Sequence, residues 1–201
     1  MSEENIISWS PDYNLKFSDF QKEEDFRLSD DKKRGYREGF CHVVYGITMN
    51  FKFSADKKKF SVSDIILKTE FDRKKSYFDK SIIKKQNLSK EKIDYLVLHE
   101  QGHFDLHEEI RPKLRKKLIS ICTGRLFETR GSTDEEIEDN AYEDAFKFFE
   151  PTFKEILQNE AKQIQDRYDE ETNHSINEKR QTEYNQHFKQ FRKIASRKKR
   201  D

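Results

Sequence analysis

The chain is poor in the residues that build several common protein classes. Its 201 residues include two cysteines, three prolines, six glycines and one tryptophan. Cys41 and Cys122 are too far apart to form a metal-ligand pair by spacing, and a disulfide framework needs more thiols. The sequence leaves a single bridge between them open. Glycine and proline never gather into a linker, and no internal repeat is visible, so one domain over 1–201 is expected. No stretch approaches the roughly 20 apolar residues of a membrane span. Met1-Ser2-Glu3-Glu4-Asn5 is acidic with no apolar run behind it, so the chain as written has no signal peptide. The expectation is a soluble, cytoplasmic protein, or a periplasmic or secreted one if a leader has been removed. An excess of one charge is also missing. Forty Lys and Arg face thirty-nine Asp and Glu, which gives no overall field for nucleic acid or an anionic membrane. The tail Arg197-Lys198-Lys199-Arg200 reads as a solvated end.

What the chain does have is aromatic residues and charge. Seventeen Phe and eight Tyr can supply the buried area that aliphatic residues do not. Against that background one stretch stands out: His99-Glu100-Gln101-Gly102-His103-Phe104-Asp105-Leu106-His107-Glu108. It contains H-E-x-x-H. On a helix, positions four apart share a face, so His99 and His103 can address one metal ion. Glu100 is rotated by about 100° from His99 and comes to lie beside that ion, where it can take a proton from water. The pattern is the zinc-hydrolase signature. Tyr95-Leu96-Val97-Leu98 before it and Phe104 and Leu106 after it make the helix apolar. Histidine pairs and glutamate are seldom placed in such a helix without cause. Gly102 costs a helix about 1 kcal/mol relative to alanine. Its presence points to a close approach by another segment or by the metal.

Around the motif, the periodicities predict an α+β chain, with 1–72 mainly strands and 89–197 mainly helices. Trp9–Tyr13 has turn chemistry, and Leu15, Phe17 and Phe20 suggest a short strand and corner near Asp19. Residues 21–37 read as polar loop. Alternation from Phe40 to Phe53 predicts a long half-buried strand. Ser54–Lys57 is a hairpin connection, and Phe60 and Val62 start a return strand. Ile65, Leu67, Thr69 and Phe71 lie on the other parity, which suggests a bulge near Ser63-Asp64. Residues 72–88 form a charged connector. Ser89 caps the motif helix, with Glu91 in its first turn. Pro112 is expected to end or kink that helix near Arg111. Leu114, Leu118, Ile121, Cys122 and Leu126 resume helical spacing. Gly131–Asp134 breaks and recaps the chain, and Ile137 through Tyr168 form a long helix that can bend at Pro151. The run 168–174 interrupts that helix. Ser175 to Glu178 has capping-box form, and Tyr184, Phe188, Phe191 and Ile194 share one face of a last helix.

A catalytic zinc takes a third protein ligand. Candidates are His42, His107, Glu108, Glu138, Glu143, His174 and His187. His107 shares the motif face, but one straight helix does not wrap three ligands around a tetrahedral ion. Glu108 suits orientation of a motif histidine. His42 and His187 read as surface residues. Glu138 to Ala145 resembles the glutamate helix of gluzincin metallopeptidases, although acidic first turns are common in any helix. His174 sits in a short turn before the last helix, where a side chain can be aimed at a fixed point.

The decamer at 99–108, the run Tyr168-Asp169-x-x-Thr172-x-His174, and Leu15-Lys16-Phe17-Ser18-Asp19-Phe20 together resemble an uncharacterised bacterial family of predicted secreted zinc-dependent proteases. The resemblance covers nearly the whole chain. Ser175 stands where that family usually has glycine. The resemblance implies a zinc peptidase, with an acidic position after the motif that matches Glu108 and a late histidine that matches His174.

The combined expectation is a zincin-like α+β fold, with an antiparallel sheet packed on the H-E-x-x-H helix and a helical second half. His99, His103 and His174 would hold Zn2+, with Glu138 or Glu143 as rival third ligands. Glu100 would act as general base on a peptide or protein substrate. Tyr168 is the candidate donor to an oxyanion, or else a plain core tyrosine. Asp169 or Thr172 would fix the turn or orient a ligand histidine. The rival from another class is a metal-stabilised binding or structural module, including one associated with the cell envelope.

Overall fold

The computed structural model describes residues 5–22 and 39–198 and is a mixed α+β structure with an antiparallel sheet. Most of the loop expected over 21–37 lies outside these residues, as do Lys199 and Arg200 of the basic tail. The described elements are β1 (Ile6–Ser8), β2 (Gly39–Phe40), β3 (Val43–Phe53), β4 (Lys59–Asp72), β5 (Tyr77–Phe78), α1 (Lys80–Lys85), α2 (Lys90–Cys122), β6 (Phe127–Glu128), α3 (Asp134–Thr172) and α4 (Glu178–Lys198). In the main sheet β4 is central. β1 and β3 flank it, and β6 pairs with its first residues. β1 and β6 both run antiparallel to β4, with Ile7 opposite Phe71 and Phe60 opposite Phe127.

By contacts the chain divides into two compact units, each drawn from separate stretches. The first comprises Met1–Val44, Thr69–Glu109 and Ile164–Asp201. Its core is Leu15, Phe20, Cys41, Phe71, Phe78, Leu96, Val97 and Phe104. The second comprises Tyr45–Lys68 and Ile110–Gln163. Its core joins Phe60, Ile65 and Leu67 of β4 to Leu114 and Leu118 of α2 and to Phe149 and Phe153 of α3. Cys41 and Cys122 are both free thiols, both buried.

Several local expectations are met. The hairpin connection closes between Ser54 and Lys59. Buried positions in β4 change parity between Phe60 and Ile65 within one continuous strand. Ser89 caps α2 through its hydroxyl, which accepts from the Lys92 amide at 3.3 Å. Thr133 and Glu136 cap α3 reciprocally.

Others are corrected. The long strand breaks at Cys41-His42, because the His42 backbone bonds to Ser76 Oγ and the Asp72 amide, while Phe40 turns to pair with β5. The 72–88 connector contains β5 and α1. Leu15 to Phe20 form a 3-10 turn over Phe17–Asp19 in place of a strand. α2 does not end at Pro112 but continues to Cys122. The proline is exposed, so it gives up one backbone bond on the solvent side, while Leu114 and Leu118 bury beyond it. Leu126 lies beyond the end of α2 and is exposed. α3 continues to Thr172, so the break comes four residues later than periodicity indicates. The cap of α4 is Asn177, which accepts from the Arg180 amide, and Ser175 has no part in it.

Candidate metal centre

The site begins with helical spacing. His99 and His103, one turn apart in α2, are both buried, with ring centroids 5.1 Å apart and planes nearly perpendicular. The end of α3 supplies a carboxylate between them. Asp169 Oδ1 lies 3.2 Å from His99 Nε2 and 3.1 Å from His103 Nε2. One ligand atom from each of the three residues falls within 4.8 Å of the others, and all three residues are buried.

A closed hydrogen-bond ring supports this face. Gln181, fully buried in α4, donates its amide N–H groups to Tyr168 Oη at 2.7 Å and to Asn185 Oδ1 at 2.9 Å. Its carbonyl oxygen therefore faces His99 Nδ1, at 2.8 Å, and accepts from it. The Tyr168 hydroxyl in turn donates to the His99 backbone carbonyl at 3.2 Å. The Tyr168 ring stacks on His99 and meets His103 edge-on, with centroids 4.8 and 4.9 Å away. Gly102 makes that approach possible: a Cβ there would sit 2.2 Å from Tyr168 Oη. The close approach expected at this glycine is therefore made by Tyr168.

The ring decides the electrostatics. With its Nδ1 proton held by Gln181, neutral His99 presents a lone pair at Nε2, pointed at an oxygen that also carries lone pairs. Such an arrangement calls for a proton or a cation between the two. Burial is the strongest single influence on His99 and works to lower its pKa. Asp169, Glu100 and Gln181 together outweigh it and hold the imidazole above its ordinary value. Burial likewise works to raise the Asp169 pKa, but hydrogen bonds from His103 and His99 draw it well below the usual carboxylate range. The donor set of two imidazole nitrogens and one carboxylate suits zinc.

The remaining candidates lie in varied settings. Glu100 is buried beside the motif histidines, and its carboxylate accepts no hydrogen bond from any described residue. A Cβ at Gly39 would lie 3.1 Å from Glu100 Oε1, so the β2 backbone passes close to it. His174 Nδ1 is 3.7 Å from Asp169 Oδ1, with its side chain 56% exposed. The structure thus puts an Asp169 oxygen between the two motif histidines and His174 at the rim of that group. Glu138 and Glu143 are exposed, belong to the second unit and are not part of the group. His107 accepts from Gln165, and burial, with His103 and His42 nearby, lowers its pKa to about 3. Glu108 accepts from Thr69 Oγ1 at 2.8 Å. His187 pairs with Glu109 at the surface, and His42 is half-buried.

The turn that brings Asp169 and His174 together is unusual in its backbone. Asn173, His174 and Ser175 all have positive φ, at 47°, 50° and 72°. The His174 amide donates to the Asp169 carbonyl and the Asn177 amide to the Thr172 carbonyl, closing the turn. Thr172, buried, donates to the Tyr168 carbonyl.

Sequence reasoning did not find three contributors. Gln181 is one, though it lies three residues before Tyr184 on the apolar stripe of α4, and a polar residue on such a stripe is a signal. The others are Asp105 and Arg192. Buried Asp105 accepts from Arg192 Nε and Nη2 and from Trp9 Nε1, and Gln101 accepts from the Leu15 amide. These bonds tie the motif helix to α4 and to the N-terminal segment. No family model, curated protein or solved structure matches this chain.

Proposed function

We propose that this chain is a zinc-dependent hydrolase of peptide or amide bonds, zincin-like around its motif helix. The observation that supports it most is the convergence of His99 Nε2, His103 Nε2 and Asp169 Oδ1, with the His99 lone pair fixed by Gln181. His99, His103 and Asp169 would hold the ion, and His174, 3.7 Å from the same oxygen, is the nearest further donor. Zinc, when bound, supplies Lewis acidity that lowers the pKa of water and polarises a carbonyl. Glu100 takes the proton of the attacking water on its carboxylate and delivers it to the leaving nitrogen. No described residue donates to that carboxylate, which suits the task. Tyr168 has its hydroxyl engaged by the His99 carbonyl and Gln181. In this reading it is a positioning residue that clamps both histidine rings.

A second reading, a metal-stabilised module without turnover, is favoured by the depth of the ligands, each at or below 9% exposure. Glu100 separates the two, because a structural site has no use for a buried carboxylate beside its ligands. The test is to purify the protein without added metal, measure its zinc, and assay a mixed peptide library with wild type and Glu100→Gln. About one zinc per chain is expected, with hydrolysis lost and zinc kept in the variant. Absence of stoichiometric zinc overturns the metal reading. Zinc without any hydrolysis by wild type supports the structural module.

A further inference from the structure

Whether His99 can ligate at Nε2 depends on which ring nitrogen carries its proton, and two acceptors compete for that proton: Gln181 at Nδ1 and the Asp169 carboxylate 3.2 Å from Nε2. The acceptor at His99 Nδ1 is a neutral amide oxygen, 2.8 Å away, on a residue 82 positions later in the chain. An amide can be turned end for end, so it fixes a tautomer only if its own orientation is fixed. Here it is. Both N–H groups of Gln181 are directed at acceptors, Tyr168 Oη and Asn185 Oδ1. Tyr168 Oη can accept because its own proton goes to the His99 carbonyl. Turning the amide over would set its N–H groups against His99 Nδ1–H and leave its oxygen facing the Asn185 carbonyl oxygen. The ring starts on the His99 side chain and ends on the His99 backbone, so a change in any member disturbs the same histidine.

We infer that Gln181, its orientation set by Tyr168 and Asn185, is the positioning residue that holds His99 as the Nδ1–H tautomer and presents Nε2 as a ligand. This deepens the zinc reading and rests on it for its consequence, but the tautomer itself is a property of the metal-free chain. A neutral acceptor has a distinct effect. It orients the ring without adding charge, so His99 keeps the basicity of an ordinary neutral imidazole ligand. A carboxylate in its place would push the ring toward imidazolate character.

The test has two parts, on the full chain. Long-range 1H–15N spectra of the metal-free protein at alkaline pH, where imidazoles are neutral, report each histidine tautomer. His99 is expected as Nδ1–H in wild type, and an Nε2–H tautomer overturns the inference without any variant having to fold. Zinc affinity is then measured by chelator competition for wild type, Gln181→Leu, Gln181→Glu and Tyr168→Phe. Loss of such an outer partner typically lowers metal affinity about 10–100-fold. That loss is expected for Gln181→Leu, with recovery in Gln181→Glu, which restores an acceptor. Tyr168→Phe is expected to fall between Gln181→Leu and wild type. Folded Gln181→Leu with wild-type affinity and an unchanged His99 spectrum overturns the inference. A wild type that shows the Nδ1–H tautomer but binds no zinc leaves the tautomer assignment standing and defeats the metal reading instead.

Discussion

The two units of this molecule are threaded by the same two long helices, yet they are built from different chemistry. In the second unit α2 and α3 contribute Leu114, Leu118, Cys122, Ala141, Ala145, Phe149 and Phe153, and every fully buried side chain is apolar or a thiol. In the first unit the same helices contribute His99, Glu100, Gln101, His103, Asp105, His107, Glu108, Asp169 and Thr172, all buried. All buried polar residues among those described belong to the first unit, as do all six histidines of the chain. Buried polar groups are costly unless each is matched. A chain that makes one half of a helix pair dry shows that it has the residues to do so. Buried polar groups gathered in the other half are the pattern that a functional site there would produce.

The sharpest way to break this contrast is to damage the dry unit and ask whether the polar one notices. Phe153→Ala removes a ring that is 1% exposed and stacked on Phe149 at 5.4 Å. A loss of about 3–5 kcal/mol in unfolding free energy is expected from transfer and cavity terms together. Zinc stoichiometry of the folded fraction should not change. Denaturant titration and metal analysis on the same samples check both, and loss of zinc from protein that remains folded would show the units to be energetically one site.

The converse experiment strikes the polar unit where it is tightest. Gly102→Ala places a methyl 2.2 Å from Tyr168 Oη and 3.0 Å from Phe188, and both rings are buried. Overpacking of this kind costs about 1–3 kcal/mol. Unlike Phe153→Ala, it should also weaken zinc binding, at least tenfold, because Tyr168 must leave its stacked contact with His99 and its edge-on contact with His103. Calorimetric titration with zinc reads that loss, and wild-type affinity in the folded variant would refute the clamp.

Acid separates the units in a third way. In the metal-free chain the His99 pKa is raised, so its contribution to stability is complete below its unfolded value of about 6.5 and fades as pH rises through the folded value. Asp169 is depressed, so its contribution is lost only in strong acid. His107, lowered to about 3, acts oppositely to His99, costing stability as pH falls from about 6.5. Burial, the largest cause of that shift, is common to the loaded and metal-free forms, so its part cancels when the two are compared. Zinc needs neutral ligand histidines, and its affinity should fall at least tenfold, about 1.4 kcal/mol, between pH 7 and about pH 5. The gap in Tm between loaded and metal-free protein should narrow over that range. A constant gap would contradict histidine ligation.

The polar half was also the less legible one. The motif helix, its Ser89 cap and the meaning of Gly102 follow from spacing and propensity, since each depends on residues within a few turns. The parity change in β4 is equally local. Asp169 and Gln181 are different. Their place depends on a turn at 173–175 that carries no glycine, and propensity does not predict three left-handed residues there. The Asp105–Arg192 pair closes over 87 positions, which no local pattern encodes. The end of α2 and the cap of α4 misled for a related reason: tertiary packing carries α2 on past Pro112, and Asn177 takes the cap that Ser175 was expected to provide.

That turn offers the smallest and most discriminating test. Ser175 is buried and adopts φ of 72°, where a side chain is strained. A non-glycine residue held in this region costs about 1–3 kcal/mol. Ser175→Gly removes that strain, but glycine gives back roughly 0.5–1 kcal/mol by loosening the unfolded chain. The net expectation is a gain of about 1 kcal/mol, seen as a higher urea midpoint at unchanged slope. The turn is closed by backbone bonds from His174 to Asp169 and from Asn177 to Thr172, which a glycine preserves. Zinc affinity should therefore stay within about twofold. If affinity rises instead, the serine was holding Asp169 or His174 away from the ion, and the strain belongs to the site's regulation. If stability falls, the buried hydroxyl makes a contribution that outweighs the backbone cost, and the turn is held by Ser175 itself.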